Sequence, residues 1–593
     1  MASVTTGSPS LSWPPALVVF VVTLMAAPLT AQTNADAEFR RAFGEKFLDR
    51  YWELNPDWGV ANGYYKYADR LIIPDEHSRD VVLHELDRWS QALRRIDPKQ
   101  LSSNVRADWA ILDNQFAAER WSLTQLQSWR WDPSVYNVAD PFALLLTLRY
   151  APAEQRLRTF LARLANVPAY YAAAKRNIGN PTREHVELAI EQNRGALDVF
   201  GADLERQIAE STLTPAERAA FTERLVPARA AISDYVAWLE ALGTRLATGA
   251  LTARSFRLGS DLYAQKFAFD IQSGDTAEAL YQRALADKDD LLARMTLLAD
   301  LLWPKYFPNL APPEDRFARI GRVIGRVSEQ HVPREQLVAE VKRQIPELER
   351  WVREHDLLEL DSAKPLIVRE TPLYKRGIAG ASVDAPGPYD PEAPTYYNVT
   401  PLDDLPPERA ESWLREYNQW MLPVLNIHEA VPGHYVQLVY ANRSPSLIKS
   451  IFGNGAMIEG WAVYAERMML ESGYGDHKAE AWLIYSKWNL RSVCNTILDY
   501  GVHVLGMSEA EAMDLLTRQA FQTQQEATDK WKRVTRTSVQ LTSYFSGYAA
   551  IVDLREDLKR ERGAAFDLKR FHEEFLSYGS APVKVIRELM TRN

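Results

Sequence analysis

The 593-residue chain contains a single cysteine, Cys494. One thiol cannot close an internal disulfide or build a multi-cysteine metal site, so a resident metal would have to rest on His, Asp and Glu. A cationic excess is missing too. Lys and Arg number 69 against 78 Asp and Glu, a formal charge of −9. Without a broad positive surface there is no electrostatic footprint for a phosphate backbone, which argues against a general nucleic-acid binder. Nor does any apolar run reach the roughly 20 residues that span a bilayer. With 46% hydrophobic and 25% charged residues, the composition fits a globular protein with a large core.

Charge is absent altogether from the first 35 residues. Within them, residues 16–29 read ALVVFVVTLMAAPL, the length of a signal-peptide apolar region, and Leu29-Thr30-Ala31 offers small residues for cleavage. A signal peptide over 1–31 is expected, with a retained N-terminal anchor as the alternative. No cysteine stands near this site, so lipid attachment is not expected. The predicted location is the periplasm or the medium around a bacterial cell, without stable membrane insertion after cleavage.

What is present from residue 36 onward is helical periodicity. Residues 154–176, 215–247, 276–302 and 334–354 carry apolar side chains three and four apart in Ala-, Leu-, Glu- and Arg-rich stretches. Thr214-Pro215, Asp275 and Pro406-Pro407 read as helix starts. No repeat of 30–50 residues recurs, which disfavours a solenoid. One segment breaks the pattern: 364–407 holds nine prolines and two short β-type runs, 366–368 and 395–399. So long an irregular stretch is rare unless used. It reads either as a linker or as a cleft-lining hairpin whose 395–399 edge pairs with an extended peptide. The expected organisation is an N-terminal helical lobe over 36–360, this proline-rich segment over 361–410, and a helical lobe over 411–593.

Directly after that segment comes HEAVPGH, residues 428–434. Zinc hydrolases place two histidines four apart on one helix face. Six residues is about 600° of helix, which leaves the two imidazoles about 120° apart. Pro432 cannot donate to the carbonyl of His428, and Gly433 relaxes the backbone, so a Pro-Gly bulge is expected to push two residues out and restore the face. Downstream, EGWAVYAE places Glu459 and Glu466 seven apart on one face. Glu459 is the expected third ligand and Glu466 the reserve, or a carboxylate that orients a ligand histidine. Glu429 is the expected general base.

The two motifs together resemble a bacterial family known as domain of unknown function 885, marked by H-E-x-x-P-G-H followed by E-G-W-A-x-Y-A-E. The similarity runs through most of the chain, more loosely at residues 55–71. It implies a mainly α, two-lobed, gluzincin-like zinc metallopeptidase with a deep cleft and a small β or irregular insertion near 364–407. Residues 491–503 match the family's R…D…H helix, although Tyr500 and Met507 replace its Thr and Trp. There Asp499 and His503 are neighbours on one face. His503 is expected to donate to an oxyanion and Arg491 to hold a substrate carboxylate, or both are structural. Residues 540–548 resemble the family's Q-x-x-S-Y-x-x-G, which makes Tyr544 the oxyanion candidate and Tyr548 the alternate, on the substrate side. Cys494 reads as a small buried side chain.

The expected function is Zn2+-dependent hydrolysis of oligopeptides, of carboxypeptidase or dipeptidase type. The alternatives are a metal-dependent amidase or esterase and a non-catalytic peptide-binding protein. The partner is a peptide or small amide. The oligomeric state is not readable.

Overall fold

Helix-start chemistry explains where the long helices begin. The computed structural model describes residues 34–371, 380–444 and 446–591. The expected signal peptide, 1–31, lies outside the described residues. Thr214 caps α1 (Pro215–Ala247) in a reciprocal box with Glu217, and Pro215 occupies the first turn, where its missing N–H is no loss. Thr276, one residue later than read, caps α2 (Ala277–Tyr306) through the backbone N–H of Ala279. The stretch read as one helix over 154–176 is two, Ala153–Leu164 and Val167–Asn177, with Pro168 opening the second. The chain is 71% helix and 3% strand, hence mainly α. No helix among the described residues is long and apolar enough to cross a membrane.

The proline-rich segment supplies one small sheet. β1 (Leu366–Glu370), β2 (Ala381–Asp384) and β3 (Thr395–Val399) run in the order β1-β3-β2. β3 pairs parallel with β1 and antiparallel with β2. Thr395–Val399 is therefore the central strand, and both its edges are spent on the ladder. The expected peptide-pairing edge at 395–399 does not exist, because the outer edges belong to β1 and β2. Tyr397, fully buried on β3, donates its hydroxyl to Asn426 Oδ1 at 2.8 Å. Asn426 in turn donates to Gln344 Oε1 at 2.7 Å, on α3 (Leu337–Glu354). A buried polar chain thus ties the sheet and α3 to the helix that ends in the histidine motif.

The apolar side chains collect in two large clusters. One holds Val60, Tyr136, Phe142, Phe160, Phe200 and Leu239, built mainly from residues 133–239. The other joins Phe43 and Trp52 to Leu292, Leu348, Trp461 and Phe575. Buried apolar side chains between 263 and 358 thus share one cluster with the motif helices, on both sides of the expected boundary near 360. Side chains remote in sequence fix the frame on which the motifs sit.

Candidate metal centre

α4 (Met421–Glu429) carries Asn426, His428 and Glu429 at its C-terminal end. It stops at Ala430, and α5 (His434–Arg443) begins with the second histidine. The motif is not a bulged helix but two helices, each giving one imidazole. Gly433 makes the junction: its N–H donates to Ile427 O at 2.9 Å, and a Cβ there would stand 1.9 Å from His428 O. Only glycine tolerates that approach. Trp461 donates to Pro432 O at 2.9 Å and ties the junction to α6 (Gly455–Glu471).

α6 brings the third group. Its N-cap Asn454 accepts the N–H of Met457 at 2.9 Å and sets the register that points Glu459 at the histidines. His434 Nε2 lies 3.5 Å and His428 Nε2 3.8 Å from Glu459 Oε2. The imidazole planes stand at 89° with centroids 4.8 Å apart. All three donor atoms fall within 4.8 Å of one another. Four-coordinate zinc with N and O ligands at about 2.0–2.2 Å needs donors about 3.4 Å apart, so this set has the donor types the ion takes and would draw together from separations of up to 4.8 Å to hold it.

Glu466, two turns beyond Glu459, is fully buried behind the cluster. Its Oε1 accepts His428 Nδ1–H at 2.6 Å and Trp488 Nε1–H at 3.0 Å. A proton on Nδ1 leaves the Nε2 lone pair for the cluster, the arrangement by which a carboxylate orients a ligand histidine. Burial works against the charged form of His428, yet Glu466, Glu429 and Glu459 lift it to about 9. The same carboxylates favour a divalent cation at Nε2. Burial also pushes the Glu459 carboxyl up, but the hydrogen bond and charge of His434, then the charges of His428 and Arg533, bring it below its ordinary value.

The oxyanion candidate arrives on a separate helix, α9 (Ser543–Arg562). α6 and α9 cross where Gly460 meets Gly547. A Cβ on Gly460 would lie 2.3 Å from Gly547 C, and one on Gly547 only 1.6 Å from Ala456 O. Two glycines let the backbones touch, which sets Tyr544 beside Glu459. Burial, then the Glu459 charge, raises the Tyr544 phenol above its ordinary value and keeps it a donor. Arg533, on α8 (Gln524–Arg536), reaches its hydroxyl at 3.4 Å.

Comparison with known proteins adds the family. The family described as "Bacterial protein of unknown function (DUF885)" matches residues 56–590. The chain belongs to the DUF885 family. A Shewanella oneidensis structure, provisionally called a lipoprotein of unknown function, is 52% identical over 94% of this chain and 99% of its own, with TM-score 0.86. A Colwellia psychrerythraea structure, also provisionally called a lipoprotein, shares the fold at TM-score 0.74 and 16% identity, over 94% of this chain and 98% of its own. No curated protein matches.

The remaining residues of the DUF885 pattern are not gathered at the cluster. His503 ends α7 (Ala479–His503), fifteen residues and about 22 Å of helix from Trp488. Its Nε2–H donates to Val534 O and Thr537 O, both at 2.9 Å. That proton is committed to backbone, while Nδ1 is buried without a hydrogen-bond partner, and the structure does not bring His503 to the Tyr544 side of the cluster. Asp499, fully buried, accepts from Tyr263 at 2.9 Å and from the N–H groups of Val539 and Leu541 at 2.9 and 3.3 Å. It fixes the turn ahead of α9, where Val539 adopts φ +69°. Asp499 thereby positions the Tyr544 helix. Arg491 stacks 4.6 Å over Trp488 and faces Glu526 at 3.9 Å, so its charge already has an internal partner. Tyr548 accepts from Arg467 at 2.8 Å. Cys494 is buried and unpaired. Trp488 and Arg533 escaped the sequence reading, and Gln540, read only as the first residue of the Q-x-x-S-Y-x-x-G pattern, was given no role, since only the fold sets them beside the motifs.

Proposed function

We propose that this DUF885 protein is a zinc-dependent peptidase whose ion is held by His428, His434 and Glu459. The observation that carries this reading is the convergence of three donor atoms within 4.8 Å, with Glu466 holding His428 in the tautomer a ligand needs. Zinc bound there supplies a Lewis-acid centre that makes water a nucleophile near neutral pH and polarises a carbonyl. Glu429 adjoins the first histidine, and its charge is felt at His428. It takes the proton of the attacking water and passes it to the leaving nitrogen. Tyr544 donates its phenolic hydrogen to the oxygen of the attacked carbonyl. Glu466, itself held by Trp488, orients His428 throughout, and Asp499 holds the turn that presents Tyr544.

Export is part of the proposal. It is supported by the charge-free apolar start of the chain and by relatives provisionally called lipoproteins.

The test is digestion of a peptide library by the purified protein, with mass spectrometry of the fragments. Small amides and esters are screened beside it, each with and without chelator. Chelator-sensitive, zinc-restored peptide cleavage is expected, and Glu429→Gln should keep zinc but lose hydrolysis. Full turnover by Glu429→Gln would remove that residue from the base role.

A further inference from the structure

The arginines near the cluster are neutralised by the protein itself, with one exception. Arg467 is held by Glu471 at 2.6 Å and Arg555 by the same carboxylate at 2.8 Å, while Arg491 faces Glu526. Arg533 has no carboxylate within salt-bridge range among the described residues. Neutral groups fix it instead. Its Nη2 donates to Gln540 Oε1 at 2.6 Å and reaches Tyr544 Oη at 3.4 Å, and its guanidinium lies 6.0 Å from the Tyr544 ring centre. The side chain is exposed, yet its charge is felt at Glu459. An oriented guanidinium thus stands open beside the ligand set, with Nε and Nη1 uncommitted among the described residues.

We infer that Arg533 receives the free α-carboxylate of the peptide, which makes the protein a carboxypeptidase. The inference rests on the peptidase reading above and adds its substrate class. A planar guanidinium presents paired N–H groups that match a carboxylate, and a neutral holder such as Gln540 leaves its charge available. Spacing is compatible with cleavage of the last peptide bond. Arg533 Nη2 lies 3.4 Å from the Tyr544 hydroxyl, so a carbonyl held by that hydroxyl and a carboxylate held by the guanidinium are within reach of adjacent residues, whose Cα atoms lie about 3.8 Å apart. In the reaction the water oxygen bonds to the penultimate carbonyl carbon and the C–N bond breaks. The proton taken by Glu429 goes to the leaving nitrogen, and one free amino acid departs.

Peptides identical except for a free-acid or amide C-terminus test this, with wild type, Arg533→Gln and Arg533→Lys. The acid peptide should shorten one residue at a time from its C-terminus, and wild type should prefer it to the amide by about 10- to 100-fold in kcat/KM. In Arg533→Gln that preference should collapse toward one, with KM for the acid carrying the change, and Arg533→Lys should restore part of it. Equal cleavage of acid and amide by wild type, internal cleavage, or an undiminished preference in Arg533→Gln overturns the inference. If no peptide is hydrolysed, the peptidase reading fails by itself, and calorimetric binding of the same two peptides decides the carboxylate site. Tighter binding of the acid that is lost in Arg533→Gln supports it; equal binding overturns it.

Discussion

Replacing Glu466 by glutamine removes one charge and exchanges one buried oxygen for an amide nitrogen. The carboxylate is fully buried, and its Oε1 accepts both His428 Nδ1–H at 2.6 Å and Trp488 Nε1–H at 3.0 Å. A glutamine in the same rotamer offers a carbonyl oxygen to the same two donors, so shape and both hydrogen bonds survive, while its NH2 replaces Oε2, which is buried without a partner. A hydrogen bond to a charged acceptor contributes about 1.5–3 kcal/mol and a neutral one about 0.5–1.5. The difference, about 1–1.5 kcal/mol, is roughly tenfold in affinity. That is the lower end of the 10- to 100-fold generally lost when the partner of a ligand histidine is removed. Glu466→Ala should reach the upper end, because it leaves a buried N–H with no acceptor. The assay is zinc titration against a chelator of known affinity, with the melting temperature of each variant recorded alongside. A glutamine variant that binds zinc as tightly as wild type would refute the contribution of the charge. One that loses as much as the alanine variant would show that charge, not shape, matters.

Other perturbations separate local causes. Gly460→Ala drives a methyl group to within 2.3 Å of the Gly547 backbone, which should cost about 3 kcal/mol or more, read as a fall in melting temperature; an unchanged melting temperature would contradict the crossing. His503→Gln should lower stability by about 1–3 kcal/mol and leave peptide hydrolysis within a few-fold of wild type. A loss of about 100-fold in kcat with stability intact would return His503 to the oxyanion. Burial pushes the Glu119 carboxyl up to about 7. The folded state therefore holds a proton that the unfolded state releases above about pH 4.5, so stability is full below that pH and falls as pH rises through 7. Glu119→Gln should raise the stability at pH 8 by at most about 3 kcal/mol and change little at pH 4. Equal shifts at both pH values would exclude the ionisation as the cause.

Some of this was legible before any fold was known. The helix start at Thr214 shows in residue type alone, because a hydroxyl, a proline and a glutamate three residues on satisfy the end of a helix locally. The candidate trio His428, His434 and Glu459 was legible for a related reason, since few residue types bind zinc and the two motifs hold them at short spacing. The way Pro432 and Gly433 resolve the six-residue spacing was not. A bulge and a full break both bring two histidines together, and only the packing of Gly433 on Ile427 and of Trp461 on Pro432 selects the break. Strand order was equally hidden. Nothing local in Thr395–Val399 says whether one neighbour or two will pair with it.

His503, Arg491 and Arg533 mark the boundary most sharply. The first two lie in a family-like helix, and chemistry was assigned to them from residue type; the third lies in no motif at all. The sequence by itself determined the candidate donor residues, the glutamate that follows the first histidine and the helical class, because these depend on residue identity and on spacings shorter than two helix turns. The tertiary structure alone decided which polar groups remain uncommitted. His503 is claimed by the carbonyls of Val534 and Thr537, Arg491 by Glu526, and Arg533 by no carboxylate among the described residues. Whether a side chain is available to a substrate depends on its neighbours in space, and those arrive from helices that packing, not sequence proximity, brings together.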